Sequence, residues 1–389
     1  MLVTGIGEVD ARRSGLGDGV AGAAEPPPAE QQDATISLAW AGDITPGSAY
    51  GALPGDARSL FADVRGRLRG HDIALGNLEG TLGDVGRPKC AVGTPNCYSF
   101  QAPAIAARGN RWAGFDVLNV ANNHGFDYGP EAQLSTLLAL YKAGIHPAGV
   151  PNRVQVLRRR GVRVAVVGLA TYRWTTSMLD ATAVDALVRR AARLGDVVVV
   201  VMHAGAEGSD RSVTPAGPEE YLGEQRGDVR AFARQAIDAG ADVVLGSGPH
   251  VLRGMEVYRD RLIAYSLGNF AGVRNFSTAG ELRLSALLSL RVTRDGAFTA
   301  GYLHPLQLDA SGRPTVDPLG AANAFVRAAS ERDFPGTAVR VRKSGKLLPP
   351  RYLGPFLTGG CRRSPGCQRL PGTSSHIRSR ASALELRRR

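Results

Sequence analysis

Apolar positions follow two rhythms along this chain. "TISLAWAGD" (35–43) alternates and then breaks at Gly42-Asp43, which predicts a strand, whereas "ARSLFADVRGRLRG" (57–70) spaces Leu60, Phe61, Val64 and Leu68 as a helix does. "HDIALGNLEG" (71–80) predicts a short strand with a polar exit, and "WAGFDVLNV" (112–120) reads as buried sheet. "PEAQLSTLLALYKAG" (130–144) begins at a proline, keeps helical spacing and stops at a glycine. Beyond it, "GVRVAVVGLA" (161–170) predicts a buried strand and "DATAVDALVRRAARLG" (180–195) a helix. Five consecutive valines in "DVVVVVMHAGAEG" (196–208) are too β-branched for a helix and suit a strand covered on both faces. The helix "DVRAFARQAIDAG" (228–240) and the strands "ADVVLGSGPH" (241–250) and "RLIAYSLGNF" (261–270) follow. Residues 282–308 read as a hairpin turning at Asp295-Gly296. Strand and helix alternate over the first 250 residues and strands alone follow, so the expected class is α/β, closed by an antiparallel section.

Composition sets the limits of this body. With 389 residues and 43% apolar content the chain can bury one large core, which we place at 35–350. The formal charge of +12 is uneven: from Arg351 onward there are nine arginines and one acid, a net of +8, which leaves +12 − 8 = +4 for the rest. No basic stripe interleaved with rings occurs in that remainder, so nucleic acid is not an expected partner. The Ser-, Pro- and Arg-rich residues 351–389 predict a disordered tail, and 1–34 a flexible lead-in ending in a proline spacer. No stretch is long and apolar enough for a transmembrane segment, and the N-terminus has no signal-peptide core. Four cysteines form two close pairs, Cys90/Cys97 and Cys361/Cys367. A small-loop disulfide suits "CAVGTPNC" and an oxidising compartment, with two free thiols as the other reading. A disulfide and a missing export signal conflict unless the chain begins downstream of such a signal.

One chemical pattern repeats at the strand exits. Asp43, Asn77 with Glu79, Asn122 with Asn123 and His124, His203 with Glu207, His250, and Asn269 each stand where a predicted strand ends. If the strands share a sheet, these side chains converge on one edge, where open α/β sheets place ligands. Carboxylate, amide and imidazole together suit a divalent ion such as manganese, iron or zinc. Six independent turn residues are the plainer reading of Asn and Asp, but they explain three of the chain's seven histidines poorly.

"GDITPG", "GNLEG", "NNHGFDYG", "MHAGAE", "GADVVLGSGPHV" and "AYSLGNF", in this order, resemble the capsule-synthesis CapA family, which is itself similar to the calcineurin-like metallophosphoesterases. The resemblance spans about residues 36–305 and implies a four-layer α/β/β/α sandwich with one or two divalent metals per chain. It further implies Asp43, Glu79, Asn123, His203 and His250 as metal ligands and His124 as a general acid oriented by Asp127. Asn77, Asn122, Glu207 and Asn269 would support the site or touch substrate. The chain departs from the broader Asp-x-His and His-x-His patterns at Thr45 and Gly248, which leaves one metal position short of ligands. Three functions stay open: a phosphoesterase-like hydrolase of capsule or cell-surface polymer synthesis, a non-catalytic metal-containing factor that handles an anionic polymer such as poly-γ-glutamate beside the synthesis machinery, and a cytoplasmic phosphodiesterase. The first two act at or outside the cell surface, on an anionic polymer or a phosphoester.

Overall fold

The computed structural model describes residues 35–47, 55–91 and 94–350. The expected lead-in, the Arg-rich tail and the pair Cys361/Cys367 lie outside the described residues.

The chain opens with four parallel strands, β1 (Thr35–Thr45), β2 (Ile73–Leu78), β3 (Val117–Asn119) and β4 (His146–Ala148), linked through α1 (Arg65–Leu68), α2 (Ala106–Ala113) and α3 (Gly129–Lys142). It then crosses to a second sheet of β5 (Gln155–Arg159), β6 (Val162–Ala170), β7 (Val197–His203), β8 (Val243–Ser247), β9 (Met255–Tyr258) and β10 (Arg261–Ala264). Two helices, α4 (Ala181–Leu194) and α5 (Val229–Ala239), connect its parallel centre. The return to the first sheet is made by β11 (Asn269–Gly272) beside β1, the hairpin of β12 (Leu284–Thr293) and β13 (Phe298–Leu308), and the short strands β14 (Pro314–Val316), β15 (Arg340–Val341) and β16 (Lys346–Leu348). The helix α6 (Ala321–Asp333) lies between these last strands in sequence. Among the described residues the first sheet has ten strands and runs β15-β16-β13-β12-β1-β2-β3-β4, with β11 on β1 and β14 on β13. The second has six, in the order β9-β10-β8-β7-β6-β5.

Strand periodicity sorts the core into three seams. Ile36, Leu38 and Trp40 of β1 point toward the second sheet, where Val197, Val199 and Val201 of β7 meet them. The intervening Ala39 and Ala41 face the opposite way, onto Phe61, Leu68 and Phe115 beside α1 and α2. On the far side Val198, Val200 and Met202 pack under Val188 of α4 and Phe232 and Ile237 of α5. The valine run is therefore a strand with a seam on each face. The layers are helices α1–α3, first sheet, second sheet, and helices α4–α5, a four-layer α/β/β/α sandwich. Trp40 ties the two sheets, its Nε1 donating to the Gly246 carbonyl at 3.3 Å.

Four local expectations are corrected. Residues 261–270 are divided between β10 and β11, which lie in different sheets, and the helix α6 interrupts the strands expected after residue 250. Residues 57–70 form a 3₁₀ turn, Arg58–Phe61, and the single turn α1 instead of one helix. Ala57 enters with φ of +70°, and Gly66 weakens the segment. Residues 112–120 are sheet only at β3: Trp112 and Ala113 complete α2, and Gly114, at φ +120°, turns the chain. Arg108, Gly109, Asn110 and Arg111 hide that helix in the sequence, because they interrupt the apolar spacing.

Candidate metal centre

The carboxyl ends of β1, β2 and β3 in one sheet and of β7 and β8 in the other open on the same place. The exits thus belong to two sheets whose ends meet. Asp43 is set by a close approach of backbones: its N–H donates to Gly268 O at 3.0 Å, and it pairs in register with Asn269 of β11. Asn77, at the end of β2, donates to Asp43 Oδ1 (2.9 Å) and lies 3.1 Å from His203 Nδ1. Its own oxygen accepts from Asn119 (2.8 Å) and Asn122 (3.1 Å), so three amides form a rigid floor. Asn122 also donates to the Leu78 carbonyl at 2.8 Å.

Around that floor stand the acids and imidazoles. His203 Nδ1 is 3.7 Å from Asp43 Oδ1, and its Nε2 is 3.8 Å from Glu79 Oε1. His250 places Nδ1 3.3 Å from Asp43 Oδ2, while Asn269 Oδ1 takes the hydrogen-bonding position on that nitrogen at 2.9 Å. Its Nε2 stands 3.6 Å from both Glu79 Oε1 and Glu207 Oε2. Ligand atoms of Asp43, Glu79 and His250 all lie within 4.8 Å of one another. His250 holds φ at +62°, a left-handed conformation that suits a residue placed for its side chain. Asn123 Nδ2 donates to Glu207 at 3.2 Å, and Glu207 is anchored by Arg226 at 2.6 Å.

Electrostatics divide the centre. Burial pushes the His203 pKa down to about 3, so this ring is neutral and can serve as a ligand. Burial would also lower His250, but Glu79, Asp43 and Glu207 outweigh it and hold the imidazole well above its ordinary value. Burial raises Glu79 well above the usual carboxyl range. For Asp43 the burial penalty is exceeded by His250, His203 and Asn77, and its carboxyl falls below its ordinary value. These acids favour the imidazolium form of His250, which would give up its proton on ligating an ion.

Next to the centre is a second group. His124 Nδ1 meets Asp127 Oδ2 at 2.7 Å, and both residues are buried. Lys89 Nζ lies 2.7 Å from the other oxygen of Asp127, and the Phe100 N–H donates to Oδ2 at 2.7 Å. The Phe100 ring covers His124 at 4.4 Å. Lys89 and Phe100 flank Cys90 and Cys97, which are bonded to each other. Along the rim Phe126, Trp174 and Tyr172 stack at 5.4 and 4.9 Å, with Trp174 Nε1 donating to the Asn122 carbonyl at 3.0 Å.

Every residue singled out in the sequence for the centre lies in it or against it. Sequence reasoning missed Asn119, Lys89, Arg226, Phe100 and Trp174. Of these only Lys89 carried a signal, its place beside Cys90.

The donor set fits a divalent ion. Asp43 Oδ2, Glu79 Oε1, Asn123 Oδ1 and His203 Nε2 are buried without a hydrogen-bond partner, an arrangement that is costly unless something else satisfies them. Carboxylate and amide oxygens with imidazole nitrogen are the ligands of hard-to-borderline metals.

Sheets packed face to face with such a centre at their strand ends define the class, a four-layer sandwich with a candidate metal site. Within that class the chain belongs to the bacterial capsule synthesis protein PGA_cap family, whose model matches residues 37–273. The PGA biosynthesis protein CapA of Bacillus subtilis is 28% identical, over 71% of this chain and 73% of that protein. The capsule biosynthesis protein CapA of Bacillus anthracis is 27% identical, over 67% of this chain and 64%, less than two thirds, of the other. The solved 5'-nucleotidase precursor of Thermus thermophilus aligns with 78% of this chain and 60% of its own, at 15% identity and a TM-score of 0.40. No helix among the described residues is long and apolar enough to cross a membrane.

Proposed function

We propose that this protein is a metal-dependent hydrolase of phosphoesterase type that serves synthesis of an anionic capsule polymer, at or outside the cell surface. The observation that carries the reading is the grouping of Asp43, Glu79 and His250 ligand atoms within 4.8 Å of one another, with Asp43 Oδ2, Glu79 Oε1, Asn123 Oδ1 and His203 Nε2 buried and without hydrogen-bond partners among the described residues, beside the His124–Asp127 pair. Those residues, with His250, would hold the ion. A divalent ion there would supply positive charge for a phosphoryl oxygen and water of lowered pKa. Asp127 fixes the His124 ring through Nδ1, which leaves Nε2 as the nitrogen that can exchange a proton with substrate. His124 gives a proton only as imidazolium. Burial opposes that form, lowering its pKa, and Asp127 and Glu207 favour it. The Cys90–Cys97 bond supports an oxidising compartment.

A second reading, a non-catalytic factor that grips the polymer through metal, is favoured by a specific feature. Thr45 stands where the broader pattern has a histidine, and its hydroxyl donates to Glu79 Oε2 at 3.4 Å.

Calorimetric titration with Mn²⁺ and a model phosphodiester assay separate the two. The wild type is expected to bind and turn over. Asp43→Ala or His203→Ala is expected to lose the metal and keep the fold. His124→Asn is expected to keep the metal and lose roughly 10²–10⁴-fold in rate. Metal uptake without turnover of any phosphoester would favour the second reading, and unchanged affinity in both ligand variants would remove Asp43 and His203 from the centre.

A further inference from the structure

At the opposite end of the first sheet, where β2 and β3 begin, lies a cleft of about 610 Å³. It is separated from the metal centre by the six residues of β2, about 20 Å of strand. Its cations outnumber its acids: Arg58, Arg69, Arg108, Arg111 and Lys142 face it, against Asp72 and Asp116.

The two acids do not neutralise the set: Asp116 is shared between Arg111 in the cleft and Arg159 outside it, and Asp72 is held by Ser37. Asp116 accepts from the Ala74 N–H (3.1 Å), from Arg111 (2.9 Å) and from Arg159, which stands outside the cleft lining, at 3.4 Å. Asp72 accepts from the N–H and hydroxyl of Ser37 at 2.9 and 2.7 Å. Arg58 is paired with Asp56 at 2.8 Å. Arg69, Arg108 and Lys142 are exposed and have no carboxylate within ion-pair distance among the described residues. Helix ends explain two of the three, since Arg69 caps α1 and Lys142 ends α3, where the dipole favours a cation. They do not explain Arg108, in the first turn of α2, where the dipole opposes one. The stem of Arg69 is guided into place by Gly114, where a Cβ would come within 2.8 Å of its Cγ. Trp112 completes the wall, stacked under Arg65 at 4.5 Å.

We propose that this cleft is a second binding site, which holds a polycarboxylate chain through Arg69, Arg108 and Lys142 at a distance from the metal centre. Guanidinium groups match carboxylates in geometry as well as charge. A single ligand that spans this cleft and the centre would have to be longer than about 20 Å, which a polymer is and a small substrate is not. The inference rests on the polymer-handling part of the proposed function.

Surface plasmon resonance of the full chain over immobilised polyglutamate tests it. Arg108→Glu/Lys142→Glu is expected to weaken binding roughly tenfold or more and to flatten its salt dependence. Arg158→Glu/Arg193→Glu makes the same charge change on other surfaces and should stay near wild type. A matched thermal unfolding midpoint confirms that the cleft variant folds, and Arg69→Ala gives a milder second test. Wild-type binding that survives the cleft variants overturns the cleft alone. Absence of any wild-type binding overturns polymer handling together with it. Equal affinity for a single-stranded oligonucleotide would show a general anion surface and would also overturn the proposal.

Discussion

Gly42 has no room for a side chain. A Cβ there would lie 1.9 Å from Gly268 O, the atom that accepts from the Asp43 N–H. Gly42→Ala is therefore expected to push β11 away from β1, to cost about 1–3 kcal/mol and to weaken metal binding, because Asp43 and Asn269 move apart. Urea unfolding and Mn²⁺ titration check it, and a variant as stable and as tight as wild type would contradict the geometry. The centre was legible at this scale because aspartate, asparagine and histidine at strand exits are conspicuous in an apolar sequence. Arg226 was not, since a cation in a polar stretch looks the same in sequence whether it is solvated or pressed onto Glu207.

Between residue and molecule stands the loop closed by Cys90–Cys97. It brings Lys89 and Phe100 onto Asp127, and Phe100 onto His124. Cys90→Ser/Cys97→Ser removes a cross-link worth about 2–3 kcal/mol against the unfolded loop. Any phosphoesterase rate is expected to fall while the metal content stays unchanged; loss of metal instead would show that the loop shapes the centre itself. On the β12–β13 hairpin, Ser289 Oγ lies 2.8 Å from Nε2 of both His71 and His304. Burial lowers both imidazoles, His304 to about 4. The unfolded chain therefore binds more protons between about 6.5 and 4, so the stability this network contributes is present above the upper value and is lost as pH falls through the lower. Denaturant midpoints of wild type and His304→Gln from pH 7 to 4 should converge on acidification; parallel curves would exclude the network. Elements with one uninterrupted rhythm, such as β7 and α5, were readable in advance. The helix α2 was not, because what makes it a helix is the fit of Ala106, Ala107 and Ala113 against the first sheet.

For the molecule as a whole, the two-sheet arrangement is the feature that local pattern could not supply: β1 pairs with β12 some 250 positions away in sequence, and no window of residues contains that pairing. Its consequence for stability follows from where the ligands come from. Asp43, Glu79 and Asn123 belong to one sheet's exits, and His203, Glu207 and His250 to the other's. An ion held by both sets clamps the sheets together and stabilises the folded state by about 2.7 kcal/mol at a hundredfold excess over Kd. A chelator should lower the unfolding midpoint by several degrees and Mn²⁺ should restore it; Asp43→Ala should respond to neither. Trp40 lends that seam a spectroscopic reporter. Its indole is fully buried between the sheets, whereas Trp174 lies at the rim of the centre and Trp112 in the basic cleft. The chain's three tryptophans thus emit from three separate places. With Trp112 and Trp174 replaced by phenylalanine, a red shift of the remaining emission would time the moment at which water first enters between the sheets.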